Sequence, residues 1–157
     1  MPTRPVAVDV ANLFAETGVG TLYPGTGVGG TKIYVGTMMD KPDLAVALYD
    51  STGIGRQLVN GKLFEKDQTI DVRVRGLDYN DTYDKCEEMV NRLRDWSKVG
   101  GFTYEGSRYL GFVGITQPMG MGVDDRERYI WSFSFTAKRE YVESDPDSSY
   151  ELPSEVE

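Results

Sequence analysis

Histidine is absent from this chain of 157 residues, and cysteine occurs once, at Cys86. Without imidazole the commonest general base and the commonest metal ligand are missing, which argues against triad hydrolases and most zinc sites but leaves carboxylate chemistry open. One thiol cannot form an internal disulfide. Long apolar runs are lacking too: none approaches the roughly 20 residues of a membrane span. The opening MPTRPVAVDVANLF has neither the apolar core nor the cleavage site of a signal peptide. Bases are few beside the acids, 17 against 25, for a formal charge of −8. Broad binding to nucleic-acid phosphates is therefore not expected.

The shortage of bases is greatest in residues 141–157, YVESDPDSSYELPSEVE, which hold six acids and no base, so residues 1–140 carry only −2. With Pro146, Pro153 and several serines, this stretch has little with which to build a core. It reads as a mobile acidic tail behind a single domain over 1–140.

What is present is glycine and well-marked periodicity. Gly25, Gly27 and Gly30 in PGTGVGGTK fit G-x-G-x-x-G. A dinucleotide site needs a strand before those glycines and a helix after them, to offer its N-terminus to the pyrophosphate. Here Val6, Val10, Leu13 and Phe14 predict a helix over 5–17 before the run, and KIYVGTMM predicts a strand after it. The reading is a flexible connection, with no nucleotide and no cofactor.

Beyond it, DLAVALYD reads as a second strand, joined by MDKPD, a connection short enough for antiparallel neighbours. Asn60–Gly61 suits the tip of a hairpin. In TIDVRVRGL, Ile70, Val72 and Val74 face one way and Asp71, Arg73 and Arg75 the other. Tyr79, Tyr83, Cys86, Val90 and Leu93 form one apolar stripe on a helix over 80–97, with Asp78 or Asn80 as cap and Gly100–Gly101 as stop. FTYEGSRYLGFVGITQP gives one or two strands. RYIWSFSFTAKRE alternates, with Tyr129, Trp131, Phe133 and Phe135 on one face. The fold class is α+β: a mostly antiparallel sheet with two main helices packed on one face.

Candidate chemistry is thin. Asp124 and Asp125 in GVDDRER could hold a cation or do acid–base work, which would make a metal-dependent enzyme; the bland reading is a solvated turn. A monomeric binding module with the Gly18–Gly30 loop as lid is another alternative. Cys86 lies on the apolar stripe and reads as core. Two arginines side by side on a strand face repel unless acids lie opposite. Arg73 and Arg75 are thus either solvated or paired across an interface, and with the turn Asp124, Asp125, Arg126 and Arg128 they are candidates for a subunit or partner contact.

Three stretches taken in order, PDLAVALYDSTG, IDVRVRGLDYNDTYDKCEEMVNRLRDW and YLGFVGITQPMGMGVDDRERYIWSFSFTAKRE, resemble the tailed-phage minor capsid and tail terminator proteins over residues 42–140. The shared order is a strand ending Arg-Gly, an amphipathic helix, a strand, then Pro, Gly-x-Asp-Asp-Arg and an aromatic strand. The resemblance implies a non-enzymatic virion protein of the tail or neck, assembled in the host cytoplasm. It implies a homo-oligomeric ring, commonly of six, on the end of the major tail tube protein's tube. Such a ring stops polymerisation and docks the head completion or connector protein, and DNA passes through its lumen without specific binding. A head–tail connector or stopper subunit is the neighbouring alternative. No membrane association is implied.

Overall fold

A computed structural model describes residues 4–23, 31–57 and 63–140. In chain order the elements are helix α1 (Val6–Glu16), strands β1 (Thr21–Leu22), β2 (Lys32–Val35), β3 (Ala45–Gln57) and β4 (Leu63–Gly76), helix α2 (Tyr79–Lys98), and strands β5 (Phe102–Tyr104), β6 (Ser107–Val113), β7 (Met119–Val123) and β8 (Tyr129–Glu140). The strands form one sheet in the order β1-β2-β3-β4-β8-β6-β5, and β7 also pairs with β8. The class is α+β.

Alternation along the central strands sets the layers. Ile70, Val72 and Val74 of β4 stand level with Phe135, Phe133 and Trp131 of β8, and all six are buried. Val46 and Leu48 of β3 and Ile33 of β2 continue this apolar face toward one edge. Both helices cover it. α1 contributes Val6, Val10 and Phe14; α2 contributes Cys86, Met89, Val90 and Leu93. The two meet where Phe14 packs on Trp96, ring centres 5.4 Å apart.

Local chemistry fixes the helix ends. Pro5, which precedes α1 at φ −56°, has no N–H to leave unpaired. Gly18, at φ +87°, takes the left-handed turn that lets Val19 N–H reach Phe14 O at 3.0 Å. At α2, Asp78 Oδ2 accepts from Asp81 N–H at 2.9 Å, and Thr82 Oγ1 donates to Asp78 O at 2.6 Å.

The apolar stripe of α2 departs from the sequence reading at its start. Tyr79 and Tyr83 are 51% and 37% exposed, not core. The first turns of α2 reach only the beginning of β8, so Tyr79 lies against Tyr129 and Trp131, and Tyr83 against Trp131, at the rim of the sheet. Met89 and Thr82 fill the stripe instead.

A second departure concerns strand direction. β2 pairs with β3 in parallel, Ile33 level with Val46 and Val35 with Leu48, and β1 pairs with β2 in parallel as well. The sheet is mixed, and the short connection is not a hairpin. A four-residue strand is only about 13 Å long, so residues 36–44 suffice to carry the chain back to its start without a helix. Nothing in MGMGV marks β7 as a strand either, since Gly120 and Gly122 are poor strand residues.

β1 and β2 flank the glycine run, so a strand follows it rather than a helix N-terminus. Gly25, Gly27 and Gly30, the Asn60–Gly61 turn and residues 141–157 lie outside the described residues.

The packing of α2 yields a stability contrast. Leu93 is fully buried, so Leu93→Asp places an unpaired charge in the core, at a cost of several kcal/mol. Glu88 pairs with Lys85 and Arg92 at 3.4 Å on the half-exposed side, and Glu88→Ala is expected to change stability by less than about 0.5 kcal/mol. Thermal melts followed by circular dichroism check both; equal shifts would invalidate this orientation of α2.

Candidate functional site

The turn between β7 and β8 is built on one carboxylate. Asp124 Oδ1 accepts from the backbone N–H groups of Arg126 and Arg128, each at 2.9 Å, and Oδ2 accepts from Arg128 Nε at 2.8 Å. The backbone closes on itself, Asp124 N–H to Arg128 O at 2.9 Å, with Glu127 at φ +61°. The Arg128 backbone N–H foremost, then that of Arg126 and the Arg128 guanidinium, hold the Asp124 carboxyl below the usual aspartate range.

This turn aims Arg128 inward. Its side chain is only 3% exposed. Nη2 donates to Asp40 Oδ1 at 3.0 Å, and Nη1 to Asp40 O at 2.5 Å and Asp43 Oδ1 at 3.3 Å. Burial works against the charge, and the bonds to Asp124, Asp40 and Asp43 outweigh it, so Arg128 titrates above an ordinary arginine. Arg126 reaches the same segment from outside, Nη2 to Asp40 Oδ2 at 2.7 Å.

Arg75 lies beneath the same segment. It is 5% exposed and donates to three backbone carbonyls: Nη2 to Met39 O at 2.7 Å and Pro42 O at 2.6 Å, and Nε to Asp43 O at 3.2 Å. Burial foremost, and then the nearby Arg128 charge, lower its pKa. Tyr34 of β2 adds a fourth tie, its hydroxyl donating to Lys41 O at 3.0 Å. Segment 36–44, which returns the chain from β2 to β3, is thus held by side chains of β2, β4 and the β7–β8 turn.

Of the six residues proposed from sequence, the structure gathers four: Arg75, Asp124, Arg126 and Arg128. The three arginines all bond segment 36–44 of the same chain, and Asp124 holds Arg128 in place. Arg75 stands on the outer sheet face, as its alternation with Val74 implied, but it is covered there by its own chain rather than open to a neighbour's Asp124 or Asp125. The acids that answer the two buried arginines are Asp40, Asp43 and Asp124, all in this chain. Segment 36–44 folds over the outer sheet face at Arg75, and one period-two pattern cannot distinguish a covered position from an open one. The sequence signal for Asp40 and Asp43 is the acid pair flanking Pro42 in MDKPD, read there only as a connection.

Arg73, one alternation along β4, stays exposed, its guanidinium 5.7 Å from the centre of the Tyr49 ring. It lines a groove of about 360 Å³ on the outer sheet face with Asp71, Thr116, Met119, Ser132 and Ser134. Asp125 is exposed as well. Among the described residues no three potential metal ligands come together. Cys86 is buried and its thiol is pushed up to about 12 by that burial and by Glu87, so it is protonated at neutral pH.

A second buried polar group escaped the sequence reading. Asp9 sits among the apolar residues of α1, fully buried, with Arg4 Nε at 2.8 Å and the Tyr109 hydroxyl on its other oxygen. Burial first, and then the Asp9 carboxylate, raise the Tyr109 pKa. Arg139 of β8 donates to Arg4 O at 2.6 Å, and Ala7 N–H to Asp50 Oδ1 at 3.2 Å. These bonds tie the start of α1 to β3, β6 and β8.

A family model described as bacteriophage tail terminator protein matches residues 17–141. The match starts before residue 42 and so takes in the glycine-rich connection. Among solved structures, a chain of the "Virion of native gene transfer agent (GTA) particle" superposes with a TM-score of 0.53 at 11% identity, over 69% of this chain and 78% of that one. At that identity the likeness is one of fold. No curated protein matches.

Two outcomes follow from the arginine cluster. Arg75→Glu sets a carboxylate against the carbonyls of Met39, Pro42 and Asp43, and is expected to destabilise the isolated subunit by roughly 3–5 kcal/mol, as when a buried charge loses its partners. Arg73→Glu, on the open face, leaves the melting temperature nearly unchanged. Chemical denaturation of the two variants separates these cases, and equal stability would overturn the burial of Arg75. The second outcome concerns pH. Because the folded pKa of Asp124 lies below that of an unfolded aspartate, its stabilising contribution is present above the ordinary aspartate range and is lost as pH falls through the folded pKa. Asp124→Asn should lower stability at neutral pH and flatten its fall in acid; an acid limb matching the wild type would show that Asp124 is not its source.

Proposed function

Because the chain belongs to the bacteriophage tail terminator protein family, we propose that it forms a ring, commonly of six copies, on the end of a completed tail tube. The ring stops further addition of the major tail tube protein and presents the surface on which the head completion or connector protein docks. DNA passes through the lumen without specific binding, in keeping with a body, residues 1–140, whose formal charge is only −2. Its place is the tail or neck of the virion, reached by assembly in the host cytoplasm.

The observation that carries this reading is the family match over residues 17–141, which spans all but α1 of the described fold. The geometry supports a structural role. The buried arginines and carboxylates bond one another and the backbone, and Arg75, which also borders a cavity of about 290 Å³ with Leu44, Asp78 and Thr82, directs its hydrogen bonds to carbonyls of its own chain. The exposed members of the arginine–acid set, Arg73, Asp125 and Arg126, are the ones placed to touch another subunit or partner. Half of the exposed large hydrophobics among the described residues lie in two places, Leu77, Tyr79 and Tyr83 around the start of α2 and Met119, Met121 and Val123 on β7. Tyrosine and methionine are enriched at protein interfaces.

The test is a tube-capping assay. Tail tube protein polymerised with and without the purified chain is measured by electron microscopy. Capping should shorten the tubes and place a ring at one end. Tubes of unchanged length with no density at their ends would overturn the terminator reading, and binding only to the head connector would move the protein to the neck.

A further inference from the structure

β7 is exposed along its whole length, with Met119, Met121 and Val123 at 58%, 47% and 56%. One of its edges bonds to β8 through Met119, Gly120 and Val123. Its other edge has no strand partner among the described residues. Natural edge strands are usually guarded by charge or by an internal proline. Residues 119–123 contain neither; Pro118 stands just outside.

The same sheet has a second open edge. β2 covers β3 only from Ala45 to Leu48. From Tyr49 to Gln57, β3 has β4 on one side and no strand on the other among the described residues. Residues 51–55 are also free of charge, so the two edges can approach without desolvating an ion.

We propose that copies of this chain join head to tail by strand addition, the open edge of β7 in one copy pairing with the distal edge of β3 in the next. The inference rests on the ring reading above. Three features of the sheet fit it.

Polarity is the first. β7 is antiparallel to β8, β8 to β4 and β4 to β3, so β7 runs against β3. Rotation about a ring axis preserves that relation between neighbours, so the new pair is antiparallel, the better-bonded kind.

Stagger is the second. Gly53 of β3 stands level, through Gln68, with Ala137 of β8, whereas Gly120 of β7 stands level with Trp131. The edges are offset by six positions along β8, roughly 20 Å, and each copy adds four strands (β3, β4, β8 and β7) across about 19 Å. A sheet repeating with that offset closes with its strands inclined at about 45°, at the upper end of the tilt of closed barrels.

Curvature is the third. Each edge carries an irregularity, between Asp50 and Gly53 on β3 and between Gly120 and Val123 on β7. Bulges bend a strand and are common at sheet edges and barrel rims.

Paired cysteines test this directly, because Cys86 is buried and does not compete. Met121→Cys combined with Ser51→Cys or Thr52→Cys should give, under mild oxidation, a ladder of covalent oligomers ending at the closed ring. Each single variant should stay uncrosslinked, and a mixture of the two singles should give dimers only. Met121→Lys, checked for folding by circular dichroism, should abolish rings at concentrations where the wild type is fully assembled by light scattering. Wild-type rings with no ladder, together with normal rings from Met121→Lys, would overturn strand addition and leave the ring reading intact. A wild type that stays monomeric, alone and on tail tubes, would overturn both.

Discussion

Two buried guanidinium groups hold segment 36–44 against the sheet, and the parallel pairing of β2 with β3 depends on that segment. β2 and β3 are parallel because the chain doubles back after Val35 and starts β3 beside the start of β2. That return path exposes a run of carbonyls to the outer sheet face. Arg75 takes those of Met39, Pro42 and Asp43, and Arg128 takes that of Asp40. A buried arginine is costly alone, and its desolvation is offset only where its donors are filled. Here the need is mutual: the segment supplies acceptors to the arginines, and the arginines supply donors to a segment without a ladder of its own.

The second buried polar group plays a corresponding role at the start of α1. Asp9 faces the sheet from an otherwise apolar helix surface, where an unpaired carboxylate would not be tolerated. Arg4 and the Tyr109 hydroxyl answer it, and Arg139 bonds the Arg4 carbonyl. Between the two polar groups lies a continuous apolar layer running from Ile33 on β2 to Phe112 on β6. That layer supplies the bulk of the stabilisation. The polar groups fix which residues meet, since a hydrogen-bonded charge accepts few alternative arrangements.

This division bears on assembly. The arginines and acids at the heart of the two polar groups are engaged inside the subunit, so most of their charge is not offered to a neighbour. What the surface offers at the β7 end is uncharged backbone edge, exposed tyrosine and exposed methionine. Contacts built from such groups depend on shape and main-chain bonding more than on charge.

The sequence by itself determined the layers. Alternation in TIDVRVRGL and RYIWSFSFTAKRE assigned Ile70, Val72, Val74, Trp131, Phe133 and Phe135 to one buried face, and helical spacing placed Val90 and Leu93 on it. These assignments held because period and burial are local properties of one strand or one helix, and a buried face leaves its mark on every second or every third to fourth residue. The α+β class followed from the same patterns, and the family resemblance rested on the order of three stretches between residues 42 and 140. Only the tertiary structure decided the rest. It placed Tyr79 and Tyr83 at the rim, because the stripe on α2 outruns the sheet beneath it. It made β2 and β3 parallel, because a nine-residue path can return a short strand as readily as it can close a hairpin. It buried Arg75 while leaving Arg73 open, though both occupy the same face of β4, because burial there depends on segment 36–44, more than thirty positions earlier in the chain. Periodicity reports which way a side chain points; what lies opposite it is settled by residues distant in sequence, and at Arg75 that difference separates a structural tie from a surface contact.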